Sequence, residues 1–207
     1  KALTQVCAKA RFLELIHDFI VFDAGVKKLC RHSQYFGVRA AQSHVQRREG
    51  GIIWHTQGSG KSLVMVWLAK WIREHVTDAR VLIITDRTEL DEQIESVFLG
   101  VNEAIHRTGS GADLVATLNA TSPWLVCSLV HKFGGQEDGE DVGDIAGNVE
   151  EIKNALWNKF SVFVGISGVG KTTLLNAIQP ELGLRVKEVS DSTGKGEVWV
   201  NMTAVQT

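Results

Sequence analysis

The sequence predicts an α/β protein in which helices flank a parallel β-sheet. Short apolar runs, such as residues 81–84 and 160–164, alternate along the chain with segments of helical periodicity. Strands without polar interruption are buried on both faces, as in parallel sheets covered by helices. Two glycine-rich turns, at residues 58–60 and 165–170, each lie between a predicted strand and a predicted helix. This repeated order supports the same fold class.

Composition and charge exclude several classes of protein. The 207 residues are 44% hydrophobic and 22% charged, which is typical of one ordinary globular domain or two small ones. The net charge of -2 means that any binding of nucleic acid or membrane is local. Cys7, Cys30 and Cys127 are far apart. This spacing argues against a disulfide framework or structural zinc and favours reduced thiols in a cytoplasmic protein.

Neither a membrane span nor a signal peptide is predicted. The apolar runs are strand-sized, far shorter than the roughly 20 residues that cross a bilayer. The first eleven residues lack the apolar core of a signal peptide, and residue 1 is Lys rather than Met. We therefore expect the chain to be a segment of a longer protein.

Residues 1–49 are predicted to form a helical, basic unit. Apolar residues at helical spacing predict a helix over residues 3–22. A basic stretch follows, and its cations are candidate DNA contacts, with a solvated surface as the alternative. They are Lys27, Lys28, Arg31, Arg47 and Arg48.

Two further units follow along the chain. The first, residues 50–147, has predicted strands at 52–54, 80–85, 104–106 and 124–128, with helices at 63–75, 89–98 and 112–119. It ends in the acidic, glycine-rich residues 134–147, which are predicted to be an exposed junction. The second, residues 148–207, has a helix at 150–157, a strand at 160–164, a glycine-rich loop, a helix at 171–178 and a C-terminal strand at 197–201.

The glycine-rich loop of the second unit predicts a phosphate site. Residues 165–172 read Gly-Ile-Ser-Gly-Val-Gly-Lys-Thr and fit the phosphate-loop pattern G-x-x-x-x-G-K-[ST] throughout. Glycines let successive N–H groups point at phosphate oxygens, the lysine reaches the β and γ oxygens, and the hydroxyl ligates Mg²⁺. The alternative is a plain glycine turn before a helix. The candidate nucleotide-binding residues are Gly165, Ser167, Gly168, Val169, Gly170, Lys171, Thr172 and Thr173, with Thr172 as the metal ligand.

A similar loop lies earlier in the chain. Residues 55–62 read His-Thr-Gln-Gly-Ser-Gly-Lys-Ser, with His55 where the general pattern has glycine. Without that first glycine, residues 58–62 still supply the curled backbone, the lysine and the hydroxyl. The candidate nucleotide-binding residues are Gly58, Ser59, Gly60, Lys61 and Ser62, with Ser62 as the Mg²⁺ ligand.

The residues around the first loop resemble the motor domain of the type I restriction endonuclease R subunit. Residues 54–62 have the form of helicase motif I typical of that subunit, and residues 85–93 and 128–133 resemble its next two motifs. The resemblance covers about residues 11–145. It implies the first RecA-like half of a superfamily 2 ATPase with a P-loop NTPase fold, which drives double-stranded DNA using ATP and Mg²⁺ beside other restriction-system subunits. It further implies that Gln42 reads adenine, the alternative being an exposed helix glutamine.

The residues around the second loop resemble a different family. Residues 160–178 and 182–190 are similar to the circularly permuted GTPase that acts in maturation of the small ribosomal subunit. This resemblance implies GTP and Mg²⁺ as cofactors and the small ribosomal subunit as a partner. The similarity stops after residues 193–196, where the family continues into a basic switch and this chain continues into a predicted strand.

Neither NTPase is complete in this sequence. No Asp-Glu-x-His strand end follows Phe133, and no Asn-Lys-x-Asp guanine-reading motif is present. Asp86 and Asp91 are the nearest acids after an apolar strand, and no catalytic residue is assigned. Because phosphoryl transfer depends on positioning and charge neutralisation, we expect nucleotide binding with slow hydrolysis.

Three functions are consistent with these patterns: an ATP-binding motor fragment, a GTP-binding fragment, and a non-catalytic α/β scaffold. A chimera of two P-loop proteins accounts for both resemblances. Trp67 and Trp71, four residues apart on one predicted helix, are expected to pack against the sheet. Histidines without metal-ligand spacing are interpreted as surface or packed polar residues. They are His17, His32, His44, His75, His106 and His131.

Overall fold

The helices and strands alternate through the chain and confirm the α/β fold class. The computed structural model describes residues 7–49, 51–53, 58–77, 79–85, 88–129, 149–156, 160–166, 171–178, 180 and 198–204. Its elements are α1 (Lys9–Asp18), β1 (Ile20–Asp23), β2 (Val26–Leu29), α2 (His32–Arg47), β3 (Gly51–Ile53), α3 (Lys61–His75), β4 (Arg80–Thr85), α4 (Thr88–Gly100), β5 (His106–Arg107), α5 (Gly111–Asn119), β6 (Leu125–Leu129), α6 (Val149–Leu156), β7 (Phe160–Ile166), α7 (Lys171–Ile178) and β8 (Val198–Ala204).

The helix predicted over residues 3–22 is wrong in its last part. Helix α1 ends at Asp18, and β1 follows and pairs antiparallel with β2. The β-branched residues at the start of β1 favour a strand. The two connecting residues, Ala24 and Gly25, have φ values of 49° and 80°, and positive φ at both central positions is typical of tight hairpins. Part of the predicted basic stretch is therefore strand β2.

Six strands form one sheet in the order β3-β8-β7-β4-β6-β5. Strands β7, β4, β6 and β5 are parallel, but β8 runs antiparallel to both of its neighbours. The sheet is therefore mixed rather than wholly parallel as predicted. Periodicity within a strand indicates which side chains are buried, but it carries no information on the direction of the neighbouring strand.

Helices cover both faces of the sheet. Along β4, Val81 and Ile83 face one core, which includes residues of α2, α3 and α4. Leu82 and Ile84 face the other core, which includes residues of α5, α6 and α7. Trp67 and Trp71 are buried, at 1% and 6% exposed. Both line a pocket beside His17 and Asp18 of α1, and the Trp67 ring contacts Phe19; their predicted packing against the sheet stays a prediction. The sheet is thus the middle layer of three.

The predicted boundary between residues 147 and 148 falls between strands of this single sheet. Strand β7, from the predicted second unit, pairs with β4 from the first. The predicted junction at residues 134–147 lies outside the described residues. In the described part of the chain, each helix is too short or too polar to cross a lipid bilayer.

Candidate nucleotide-binding site

The first glycine-rich turn connects β3 to the N-terminus of α3. Strand β3 ends at Ile53, and α3 begins at Lys61. Gly58 and Gly60 have φ values of +74° and +77°, and Gly60 is the N-cap of the helix. Glycine adopts this left-handed conformation readily. The first-turn N–H groups of a helix are the usual phosphate-binding element of such loops.

Gln34 on α2 holds this turn in place. Its side-chain Nε2 donates to the carbonyl oxygens of Ser59 at 2.8 Å and Gly60 at 3.1 Å. Its Oε1 accepts a hydrogen bond from the backbone N–H of Arg31 at 2.7 Å, which belongs to the N-terminal cap of α2. Gln34 is 3% exposed. One buried carboxamide therefore links the start of α2 to the loop. This contact was not predicted from the sequence, because it joins residues 25 and 26 positions apart.

The polar side chains of the loop are partly withdrawn from water. Burial lowers the pKa of Lys61 because it penalises the charged ammonium. Ser62 is half-buried in the first turn of α3. The Ser59 hydroxyl oxygen is buried and has no hydrogen-bond partner among the described residues. A phosphate group would offset both the desolvation of the lysine and the unpaired hydroxyl.

The predicted adenine-reading residue Gln42 lies elsewhere on α2. It is 2% exposed, and its Oε1 accepts a hydrogen bond from Arg39 at 3.0 Å. Eight residues separate it from Gln34, which is the α2 glutamine that contacts the loop. An exposed helix glutamine, the alternative interpretation of Gln42, is wrong because the side chain is buried.

The second loop has the predicted strand and helix on either side of it. Strand β7 continues to Ile166, two residues beyond the predicted end, so Gly165 lies in the strand and pairs with Trp199 of β8. Helix α7 begins at Lys171 as predicted, and Thr173 in its first turn is exposed. Ser167, Gly168, Val169 and Gly170 lie outside the described residues, as do the side chains of Lys171 and Thr172.

Strands β3 and β7, which precede the two loops, end at the same level of the sheet. Ile53 at the end of β3 and Ile166 at the end of β7 both pair with Val198 of β8. With one strand between them, the two strand ends are about 10 Å apart. Helix α3 packs in one core and α7 in the other. Each loop therefore leads to a helix N-terminus on its own face of the sheet.

A comparison with protein families identifies the family to which this strand-loop-helix arrangement belongs. The family model for the SWI2/SNF2 ATPase matches residues 33–164, more than half of the chain. The chain belongs to the SWI2/SNF2 ATPase family. The SWI2/SNF2 match includes Gln34, the first loop, strands β3 to β6 and β7 as far as residue 164. A second family model, that of the RsgA GTPase, matches residues 143–200 and so overlaps the first over residues 143–164.

Individual relatives also fall into two groups, restriction-enzyme subunits and RsgA GTPases. The MjaIXP endonuclease subunit of a type I restriction enzyme from Methanocaldococcus jannaschii is 30% identical over 144 residues, 64% of this chain and 14% of that protein. The HindI endonuclease subunit from Haemophilus influenzae is 31% identical over 110 residues, 46% of this chain and 10% of that protein. The small ribosomal subunit biogenesis GTPase RsgA from Streptococcus pyogenes is 51% identical over 53 residues, 26% of this chain and 18% of that protein.

These matches confirm both resemblances inferred from the loops. The SWI2/SNF2 ATPase part and the RsgA-like part are related to two different families of nucleotide hydrolases. The chain spans less than a fifth of the length of each of these relatives.

At the same edge of the SWI2/SNF2 sheet, Asp91 is enclosed by polar partners. It is 1% exposed, and its carboxylate accepts hydrogen bonds from Arg107 Nε at 2.7 Å and Cys127 Sγ at 2.5 Å. Burial and the neighbouring carboxylate raise the pKa of Cys127, so the thiol remains protonated and donates. Through these two hydrogen bonds, Asp91 of α4 links this helix to β5 and β6. The other acid singled out, Asp86, lies outside the described residues.

The five candidate DNA-binding cations form two groups. Lys27 and Lys28 are on β2, and Arg31 caps the start of α2. Arg47 and Arg48 are at the other end of this 16-residue helix, about 24 Å away. Arg47 also contacts Ser43 and Glu49. The sequence placed all five in one basic stretch, but the length of α2 separates them.

Proposed function

We propose that the chain binds ATP with Mg²⁺ at the first phosphate loop, as a fragment of the motor of a type I restriction enzyme. The observation that carries the proposal is the loop held by Gln34, with Gly60 in the left-handed conformation and Lys61 at the start of α3. Relatives that are endonuclease subunits of restriction enzymes support the choice of ATP motor.

The residues present suit a nucleotide triphosphate with its metal. Backbone N–H groups at the start of α3 and the Lys61 ammonium would hold the β- and γ-phosphates, and the Ser62 hydroxyl would ligate Mg²⁺. The metal would neutralise phosphate charge. Gln34 acts as a positioning residue, because its two amide hydrogens and its carbonyl are already used by the loop and by α2.

A second nucleotide, of the guanine class, is proposed for the loop after β7. The RsgA-like match and the 51% identity over 53 residues support GTP, and Lys171 and Thr172 would take the roles of Lys61 and Ser62. Because α3 and α7 lie on opposite faces of the sheet, one triphosphate cannot use both helix N-termini. We therefore assign two separate sites, with the small ribosomal subunit as a partner under this alternative.

DNA is the proposed macromolecular partner of the motor part, beside other restriction-system subunits. The relatives named as restriction-enzyme subunits support this choice. Lys27 on β2 and Arg31 at the start of α2 are exposed cations. Replacing both by alanine should weaken binding of a DNA duplex and reduce the salt dependence of that binding. Unchanged salt dependence would remove these two residues from the contact.

Parallel titrations test the nucleotide proposal. ATP and GTP are titrated with Mg²⁺ by calorimetry into the wild-type chain, Lys61→Ala and Lys171→Ala. Lys153→Ala is the matched control, since Lys153 is on α6 and pairs only loosely with Glu150 at 3.8 Å. Lys61→Ala should lose ATP binding and retain GTP binding, and Lys171→Ala should do the reverse.

Two outcomes contradict the proposal. Full ATP binding by folded Lys61→Ala would remove ATP from the first loop. Equal loss of all nucleotide binding in both folded variants would show that a single site depends on both lysines.

A further inference from the structure

A pocket unrelated to the phosphate loops lies where the C-terminal ends of α1 and α3 meet. His17 and Asp18 are the last residues of α1, and Glu74 is in the last turn of α3. One potential ligand atom from each of these three residues lies within 4.8 Å of the others. Lys70 and Trp67 also line this pocket. We call the His17, Asp18 and Glu74 group the α1–α3 cluster.

A second observation concerns the wall of the same pocket. Trp67 is 1% exposed, and its indole Nε1–H is buried without a hydrogen-bond acceptor among the described residues. A buried N–H group without a partner costs free energy, so natural structures usually supply an acceptor. An indole nitrogen only donates, so a group that satisfies it must be an acceptor, such as the oxygen of a water molecule.

Electrostatics at this position favour a cation. The C-terminal end of a helix carries partial negative charge, so carboxylates are unfavourable there and cations are favourable. Asp18 and Glu74 place two carboxylates at two such ends. Lys70 offsets part of this charge from the side of α3, and its long side chain can move toward solvent.

We propose that the α1–α3 cluster binds a divalent cation of the zinc class, with a metal-bound water that accepts the Trp67 N–H. A mixed set of one imidazole and two carboxylates suits Zn²⁺, whereas Mg²⁺ and Ca²⁺ prefer oxygen ligands alone. Three protein ligands leave the fourth tetrahedral position for the water.

The side chains have the freedom that coordination requires. His17 Nδ1 and Asp18 Oδ1 are 2.5 Å apart. Two tetrahedral ligands with metal bonds of about 2.0–2.2 Å lie more than about 3 Å from each other, so the two side chains must separate when the ion binds. The His17 side chain is 74% exposed and Asp18 is 19% exposed, so the imidazole can turn to admit the ion. The ion would fasten α1 to α3, the helix that begins at Lys61.

The test is zinc binding by the full chain after removal of metal with EDTA. Zn²⁺ should raise the Tm of the wild type, because a ligand that binds only the folded state stabilises it. His17→Ala and Glu74→Gln should each weaken zinc binding by at least about tenfold. Co²⁺ serves as a spectroscopic probe, and its visible absorption band in the wild type should be lost in His17→Ala.

Controls separate this site from others. His44→Ala is matched to His17→Ala, because His44 also faces a carboxylate, that of Glu49 at 3.7 Å, and it should bind zinc as the wild type does. Glu74→Gln keeps the shape of the side chain, so it remains informative if His17→Ala fails to fold. Equal zinc affinity in wild type, His17→Ala and Glu74→Gln would overturn the site. So would the same rise in Tm with Mg²⁺, or no rise with Zn²⁺.

Discussion

Gly60 is subject to two separate constraints in the first phosphate loop. Its φ value of +77° is one that other residues adopt only with strain, and an added Cβ would lie 2.6 Å from Gln34 Nε2. Gly58 has a similar φ of +74°, but an added Cβ there would meet no atom of the described residues within 4 Å. The two glycines therefore differ in their contacts and not in their backbone conformation.

The first prediction compares these two glycines. Gly58→Ala should lower the free energy of unfolding by about 1–2 kcal/mol through its backbone conformation. Gly60→Ala should lower it by about 1 kcal/mol more, because the Gln34 hydrogen bonds to the loop are disturbed. Urea denaturation measures both values. Equal losses in the two variants would mean that the Gln34 side chain moves away from the new methyl group without loss of stability.

The second prediction separates the two glutamines of α2. In a Lys171→Ala background, where nucleotide binding is left to the first loop, Gln34→Ala should weaken ATP and GTP binding alike. The expected loss is about tenfold, or about 1.4 kcal/mol, since Gln34 acts on the part that binds phosphates. Gln42→Ala should reduce the preference for ATP over GTP only if Gln42 reads adenine. Calorimetry on each variant measures these affinities. A selective loss of ATP binding in Gln34→Ala would instead assign the adenine contact to Gln34.

At the scale of elements, the N-terminus of α5 is closed by reciprocal hydrogen bonds. The Ser110 hydroxyl accepts from the backbone N–H of Asp113 at 3.1 Å, and the Asp113 carboxylate accepts from the backbone N–H of Gly109 at 2.7 Å. The bond from Asp113 satisfies one of the N–H groups that a helix leaves unpaired at its start, and the bond from Gly109 holds the residue just before the cap. They set where α5 begins and so how it packs in the core with α6.

The third prediction concerns this cap. Ser110→Ala should lower the free energy of unfolding by about 1 kcal/mol, the usual cost of losing an N-cap hydroxyl. Thermal or urea denaturation measures the loss. Ser122→Ala is a control for the type of substitution, because Ser122 is an exposed residue beyond the end of the same helix. An unchanged stability of Ser110→Ala would show that water replaces the hydroxyl.

The fourth prediction is the pH dependence of the same cap. The hydrogen bond from Gly109 lowers the pKa of Asp113, and His106 acts in the same direction. A carboxyl group with a lowered folded-state pKa stabilises the fold above its unfolded pKa, about 3.9, and loses this contribution as the pH falls through the folded value. The Tm difference between wild type and Asp113→Asn should therefore be largest near neutral pH and shrink in acid. A constant difference across that range would contradict the assignment.

At the scale of the whole molecule, β8 determines how the two phosphate loops are related. It separates β3 from β7, and its Val198 pairs with the last residue of each strand. The strands that precede the loops therefore end side by side, while the helices that follow the loops lie on opposite faces. This arrangement supports the proposal of two separate phosphate sites.

The fifth prediction concerns turnover by the whole chain. With Mg²⁺ and ATP or GTP, we expect hydrolysis at or below about 10⁻⁴ to 10⁻³ per second, the range of an intrinsic GTPase without an arginine finger. The sequence contains no Asp-Glu-x-His motif after Phe133, and Asp91 is held by Arg107. A steady-state phosphate-release assay measures the rate. Several turnovers per second, abolished by Lys61→Ala, would mean that a residue such as Asp86 completes an active ATPase.

The sequence by itself determined the features that depend on neighbouring residues. The bounds of β4 and α7 were predicted correctly, because burial and helical periodicity are local patterns. The phosphate-loop motifs were visible for the same reason, since closely spaced glycines, a lysine and a hydroxyl carry their chemistry. Nucleotide binding at them stays a prediction. Both family resemblances depended on such continuous stretches, and the family matches confirm them.

Only the tertiary structure decided which distant residues meet. The insertion of β8 between β3 and β7, the contact of Gln34 with the loop, and the approach of His17 to Glu74 join residues remote in sequence. Such contacts depend on how whole elements pack to bury apolar surface, and local periodicity does not encode that packing. His17 and Glu74 belong to different helices, so their approach follows from the packing of α1 and α3 and from no spacing in the sequence.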